Sequence, residues 1–535
     1  MHSVAAETLT PLFAGMKIPA TDTLMEAEAH SGSAALTKYA GPLILLLAGG
    51  WMVSISWLKW QDLLIDFGEQ AYIPWALSKG QVLYKDFEYQ FGPLSVYAHA
   101  LLFKLFGPGI LTLAVFNILI VAGLASLIYI FFLRFSDRLT ATVLSLAFIT
   151  LFALGQYKGG GNFNFVGAYA YQLPHGVALS FLALFWFYKY SLSQADKHLA
   201  AVFFLAGCVY LTKPEVFLAL TVALAGGLTA LFVSQQRAGR RRPQTLGVAL
   251  ASLLAAPFIF LIYLWGHMPF NKAAMDLLGP WIYVMNSSHR SIPYYQWVMG
   301  IDAVGPNLSK MFLYLFQMGL VILALAAVNR LLPRLSGNRG LFSGLLVALA
   351  FGLTLTFQNA IDWFELLRPL PAAALGLSGF YAYRYCKNTE ERPRHLALFT
   401  FGLFSFVLLF KIILNTHIYH YGFALALPAT LLVLFFLLQD FPKLKFVFPQ
   451  SANFYRPAVL MLVLVFIGKH VSLGHQLHQL KTYPVGRGTD TILDYDAAFE
   501  TRGTVVNQAL QYIQTEMDPE AEFAPLPLGN ILNYL

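Results

Sequence analysis

The chain has 535 residues, 58% of them hydrophobic and only 12% charged, with a formal net charge of +8. Soluble globular proteins carry about 25% charged residues, so half of the usual solvated surface is missing and a soluble globular fold is excluded. The basic residues are scattered between apolar runs and form no continuous stripe, which argues against nucleic-acid binding.

Residues 1–38 are mildly polar and lack a basic segment leading into a short apolar core, so they read as a cytoplasmic tail without a cleaved signal peptide. Beyond them come long apolar blocks such as LAVFNILIVAGLASLIYIFFL and PAVLMLVLVFIG. A helix needs about 20 mostly apolar residues to cross the hydrocarbon core and satisfies its backbone groups internally. A membrane barrel would show alternating segments of about ten residues instead. The predicted class is therefore an all-α polytopic membrane protein with about 13 transmembrane helices, near 39–57, 109–133, 139–155, 174–191, 198–212, 215–234, 245–265, 307–328, 339–357, 368–386, 395–413, 420–439 and 455–473. The two cysteines, Cys208 within a span and Cys386 at a span end, supply no disulfide framework.

Charge placement tests this reading independently. With the N-terminus inside, the inner connections carry Arg134 and Arg138, Lys189 and Lys197, and the run RAGRRR at 237–242. They continue with Arg330, Arg334 and Arg339, then Arg384, Lys387, Arg392 and Arg394, and finally Lys443, Lys445 and Arg456. The alternate connections hold few arginines, chiefly Arg290 and Arg368, which is the positive-inside pattern. The organisation read from this is a tail (1–38), a membrane domain (39–473) and a small outer C-terminal segment of α/β character (474–535). The last is marginal as an independent unit and is expected to pack on the outer loops, of which the longest spans 58–108.

That loop reads KWQDLLIDFGEQAYIPWALSKGQVLYKDFEYQFGP over 59–93. A helix from Gln61 to Tyr72 would place Asp62, Asp66 and Glu69 on one face, with Leu63, Leu64, Ile65 and Phe67 resting in the membrane interface. Asp86 and Glu88 form a second acidic pair, flanked by Tyr84, Lys85 and Tyr89. Carboxylates at this depth suit transfer of a sugar from a lipid phosphate, because one of them can accept the proton of an attacking hydroxyl. The leaving phosphate needs neutralising charge from Lys, Arg or a divalent metal ion. Acids that merely solvate an interfacial helix explain the pattern equally well.

The string from Asp66 to Leu94, DFGEQAYIPWALSKGQVLYKDFEYQFGPL, resembles the first outer loop of the GT-C glycosyltransferases. It looks most like bacterial relatives of the protein O-mannosyltransferases and the lipid A aminoarabinose transferases. LTKPE at 211–215, YHYGFALALPA at 419–429, and KTYPVGRGTD and GNILNYL in the tail extend the similarity along the chain. The resemblance implies a GT-C fold, a polyprenyl-phosphate-sugar donor, inversion at the anomeric carbon and a place in a bacterial inner membrane with the C-terminus outside. It matches Asp66 to the family's essential aspartate. Family members often have adjacent acids, whereas here Phe67 follows Asp66 and Glu69 comes three residues on. Similar chains also continue past the position of Leu535, which leaves open whether further residues follow.

The catalytic candidates are thus Asp66, with Glu69 or Asp86 assisting. Lys213, beside Glu215, lies at the depth of a lipid phosphate, where an ionisable group is a functional candidate; a snorkelling lysine is its alternative. Tyr84, Lys85 and Glu88 join the substrate-binding candidates. So do Lys158 and Tyr169 in YKGGGNFNFVGAYAYQLPHG, where Asn162 and Asn164 also offer sugar-type hydrogen bonds. His417 and Tyr421 complete the set. The pairs His417/His420 and His475/His478 have helical spacing, but two histidines without a third ligand are a weak metal signal, so no metal site is assigned. Asp362, Glu365 and Arg368 suit either the acceptor side or a local ion pair. The acceptor is a glycan, lipid or protein. A transporter or flippase is the rival reading, against which stands the lack of internal repeats; a non-catalytic scaffold of the same fold is a third.

Overall fold

The computed structural model describes residues 21–158, 160–237, 244–286, 291–335, 339–356, 358–448, 454–518, 523–525 and 529–535. The helices, in chain order, are α1 (Thr21–Ser56), α2 (Phe67–Ser78), α3 (Leu94–Phe106), α4 (Ile110–Leu133), α5 (Arg138–Ala147), α6 (Gln172–Ser193), α7 (Asp196–Tyr210), α8 (Pro214–Arg237) and α9 (Gln244–Trp265). They continue with α10 (Phe270–Met285), α11 (Pro293–Met299), α12 (Val304–Leu335), α13 (Arg339–Thr356), α14 (Leu370–Lys387), α15 (Arg392–Leu408), α16 (Gly422–Leu425), α17 (Leu427–Phe435), α18 (Tyr455–Gln479) and α19 (Arg502–Glu516). Residues 1–20, Arg290 and the basic run after Arg237 lie outside the described residues.

Each of the thirteen apolar segments is helical, and the protein is an all-α membrane protein. Among the described residues, however, only eight helices are both long and apolar enough to cross a membrane. Two physical reasons contribute. The apolar stretch Arg138–Ala153, which includes α5, is too short, whereas α6 is long enough but sits inside the bundle, where polar groups find protein partners: Ser180 Oγ donates to Gly176 O at 2.8 Å and His175 Nε2 meets Asn117 Oδ1 at 2.8 Å. Helices surrounded by other helices need not be apolar all round, so composition alone overstates how alike the segments are. The lipid-facing surface shows the opposite pattern. Leu46, Leu119, Phe258, Ile259, Phe316 and Leu323 are exposed, an apolar belt untenable in water.

The bundle core gathers Phe132, Phe148, Phe401 and Phe435, all fully buried. A separate cluster joins the first long loop to the C-terminal segment: Leu63, Phe67 and Ala71 pack with Val485, Ile492, Val506 and Ile531. The C-terminal segment is a two-stranded antiparallel hairpin, β1 (Lys481–Val485) with β2 (Ile492–Tyr495), followed by α19. Its register pairs Val485 with Ile492 and Tyr483 with Asp494, with an irregularity between Lys481 and Tyr483. Four of its side chains are fully buried against the loop, each contributing about 1.5–3 kcal/mol before the entropy of ordering is subtracted. Leu493 N also donates to Leu58 O at 2.8 Å, and Ile110 N to Asp490 Oδ1 at 2.9 Å.

Candidate functional site on the first long loop

The expected helix from Gln61 to Tyr72 does not form. Asp62 Oδ1 accepts from Leu64 N (3.0 Å) and Ile65 N (2.9 Å), and such side-chain competition for backbone donors favours a turn over a helix. Asp62 is buried, and its Oδ2 accepts from Arg502 at 2.6 Å, so it faces the C-terminal segment and shares no helical face with Asp66 and Glu69. Leu63 and Phe67, expected in the membrane interface, are buried against the same segment. Ile65 stays exposed.

α2 begins at Phe67, and Asp66 stands at its N-cap with φ 60° and ψ −33°. Phe67 N donates to Ile65 O at 2.6 Å, making Asp66 the centre of a γ-turn of the strained hand, which costs a non-glycine residue about 1–3 kcal/mol. The surroundings hold it there. Asn162 Nδ2 donates to Ile65 O and Asn164 Nδ2 to Trp60 O, both at 2.8 Å. Both asparagines are buried and committed to the loop backbone, so the sugar-binding role expected for them gives way to a scaffolding one.

Asp66 is open to solvent at its tip, yet the surrounding protein desolvates it enough to raise its carboxyl above the usual range; Lys213 opposes this and Asp62 adds to it. Glu69, in the first turn of α2 and half-buried, is pushed up to about 7 by burial and then by the charge of Asp66. The two acids separated in sequence therefore sense each other, as adjacent acids would.

Lys213 follows α7. Its position is set by backbone hydrogen bonds from the first loop: Gly92 N donates to Thr212 O (2.9 Å) and Leu94 N to Leu211 O (3.0 Å). Only glycine permits this approach, because a Cβ at position 92 would collide with Leu211 O and lie 2.8 Å from Thr212 N. The ammonium of Lys213 is buried. It donates to Tyr169 Oη at 2.7 Å and lies 4.7 Å from the Phe91 ring centre and 4.6 Å from that of Tyr169. Burial, then Lys411, pulls its pKa down to about 7 against the raising effect of Glu215 and Asp66. Glu215 bridges two cations, with Oε1 3.7 Å from Lys213 Nζ and 3.0 Å from Lys411 Nζ. Lys411 also lies 4.1 Å from the Tyr421 ring centre. Burial raises the phenol of Tyr169, and the charge of Asp66 adds to it, which puts this ring within the electrostatic reach of Asp66.

The structure thus brings together Asp66, Glu69, Tyr169, Lys213, Glu215 and Tyr421 among the residues singled out in the sequence. Lys158 joins the rim, with its ammonium 4.1 Å from the Tyr419 ring centre. His417 is buried, bonded to Asn415 and stacked on Tyr419 at 4.6 Å; burial takes it down to about 3, so it is neutral at ordinary pH. Asp86 Oδ2 accepts from Val82 N at 2.7 Å and shapes the local turn, with Lys85 and Glu88 exposed around it. Tyr84 is buried and donates to Phe91 O at 2.7 Å, a structural strut under the Gly92 contact. Arg368 is clamped by Glu365, Asn307 and Leu414 O. Among the described residues no three His, Cys, Asp or Glu side chains converge as a metal-ligand group. Sequence reasoning missed Lys411, although a lysine within an apolar segment is a signal in its own right.

No protein-family model matches the chain, and no curated protein matches it. Among solved structures it is similar to the crystal structure of the Archaeoglobus fulgidus oligosaccharyltransferase tethered with an acceptor peptide containing the NVT sequon via a disulfide bond. The likeness has a TM-score of 0.46 at 14% identity, covering 92% of this chain and 61% of that one, so the chain spans about three fifths of the length of that structure.

Proposed function

We propose that the protein is a membrane glycosyltransferase of GT-C type, moving a sugar from a polyprenyl-phosphate donor to an acceptor hydroxyl at the outer face of a bacterial inner membrane. The observation that carries the reading is one juxtaposition: a strained, solvent-open aspartate within the field of buried Lys213, which Glu215 links to half-buried Lys411. A carboxylate that is a potential base and a cation pair able to receive a phosphate are the two halves such a reaction needs.

In this mechanism the acceptor oxygen attacks the anomeric carbon from the face opposite the phosphate. A new C–O bond forms as the anomeric C–O bond to phosphate breaks, the electron pair leaves on the phosphate oxygen, and the anomeric centre inverts. The acceptor proton passes to Asp66. Lys213 and Lys411 neutralise the departing phosphate, and the aromatic rings of Phe91, Tyr169 and Tyr421 keep water from weakening that attraction. Glu69, raised to about 7 by burial and by the charge of Asp66, is partly protonated near neutrality, which spares Asp66 a second full negative charge at its side.

Asp66→Asn keeps the size of the side chain and removes the base. With the purified protein in lipid and a panel of polyprenyl-phosphate sugars, donor consumption by this variant falls at least about 100-fold, the lower range of general-base contributions. An unchanged rate, with an unaltered thermal midpoint, removes Asp66 from the chemistry.

A further inference from the structure

The turn between α13 and α14 and the last turns of α18 line an open cavity of about 460 Å³. That is within the range of about 300–1,000 Å³ typical of small-molecule sites. Its lining includes Asn359, Asp362, Trp363, Lys469, Ser472 and Gln476. The turn is built by its own residues. Asp362 Oδ1 accepts from Phe364 N at 3.2 Å, and Trp363 Nε1 donates to Gln358 O at 2.7 Å. The indole N–H is thereby committed, and what Trp363 offers a ligand is its ring. Lys469 Nζ donates to Gln358 Oε1 at 3.3 Å.

The chemistry of this lining selects against most ligand classes. A lipid chain would make no use of the amide, hydroxyl and charged groups, most of which stay open to solvent along the wall. An anion gains little, because the one ammonium in the wall is offset by one carboxylate. A neutral molecule with many hydroxyls and one apolar face satisfies both the polar groups and the ring. We infer that this cavity is a carbohydrate subsite, taking one neutral hexose unit with Trp363 as its stacking surface.

The cavity adjoins the candidate site. Phe364, which also lines it, packs on Tyr419 at 5.3 Å and on Tyr157 at 6.2 Å between ring centres. Tyr419 in turn stacks on His417 and lies under the ammonium of Lys158. A sugar held here, away from Lys213 and Lys411, belongs to the acceptor. This assignment rests on the transferase reading and names its acceptor class as a glycan.

Saturation-transfer NMR tests it on the full chain in phosphatidylcholine nanodiscs, with methyl glycosides of glucose, galactose, mannose and N-acetylglucosamine as probes. At least one glycoside receives saturation above empty nanodiscs. The signal falls to that background in Trp363→Ala and survives in Trp363→Phe, which keeps a stacking face. Asp66→Asn binds as wild type does, and a wild-type chain that binds sugar but transfers none from any donor retains the subsite and loses the transferase reading. The subsite is overturned if no glycoside gives a signal, if the signal persists in Trp363→Ala, or if phosphocholine displaces it, which would assign the cavity to a lipid headgroup.

Discussion

Asp66 pairs an unfavourable backbone geometry with a carboxyl that its surroundings hold above the ordinary range. Strain and desolvation in one residue are both expenses to the fold, and they persist where neighbours over-determine the conformation. The identity of this residue was legible in the sequence through the string that follows it. Its geometry was not, because the γ-turn depends on Asn162 and Asn164 from a distant loop. Lys213 yields a prediction about pH. Its pKa is lowered, to about 7, so the charge that would receive a phosphate is present below that value and lost above it. The rate constant kcat/KM reports groups of the free enzyme, and so it declines as pH rises through about 7. Lys213→Arg carries a guanidinium that stays charged, and it moves this alkaline limb upward by more than one pH unit. A limb that stays in place in the arginine variant assigns the titration to another group.

At the level of elements, two strings far apart in the chain, FGPL and LTKPE, turn out to be one structural joint. The sequence displays both strings but no sign that their backbones are hydrogen-bonded, since neither contains a periodicity that pairs them. Gly92→Ala tests the joint. The added Cβ overlaps backbone atoms of Leu211 and Thr212, which cannot swing aside as a side chain could. Overpacking of this kind costs about 1–3 kcal/mol, and here it also displaces Lys213. The variant shows a lower thermal midpoint together with weaker donor binding, whereas Gly80→Ala, in open space, lowers the midpoint modestly through its positive φ and leaves donor binding alone. The joint between loop and C-terminal segment is equally specific. Arg502→Ala leaves Asp62 buried without its cation, which costs about 3–5 kcal/mol. The expected reading is a lower thermal midpoint, partly restored in the double variant with Asp62→Asn; an unchanged midpoint removes the ion pair from the stability of the loop.

Across the whole molecule, the thirteen apolar blocks all proved helical, because crossing a bilayer constrains length and composition strongly, but they passed over the apolar helix α3, which lies within the stretch read as an outer loop. They did not separate helices that face lipid from those enclosed by neighbours, as α5 and α6 show. The orientation read from the arginines and lysines is testable with thiols. Cys386 is exposed at the end of α14, beside the basic stretch from Arg384 to Arg394. In intact cells it resists a membrane-impermeant maleimide and becomes reactive when the membrane is opened, while Lys158→Cys in a Cys386→Ser background reacts without opening. Equal reactivity of both from one side overturns the topology.

The ion pair between Asp62 and Arg502 and the seat of Ile531 against Gly68 join parts of the chain that are synthesised far apart in time. While a ribosome is still making the later spans, the loop bearing Asp66 has no hairpin to lean on and its acids cannot take up their final arrangement. The final arrangement of the loop therefore waits on the docking of the hairpin and α19, so the order of synthesis sets the order in which this part of the fold can close.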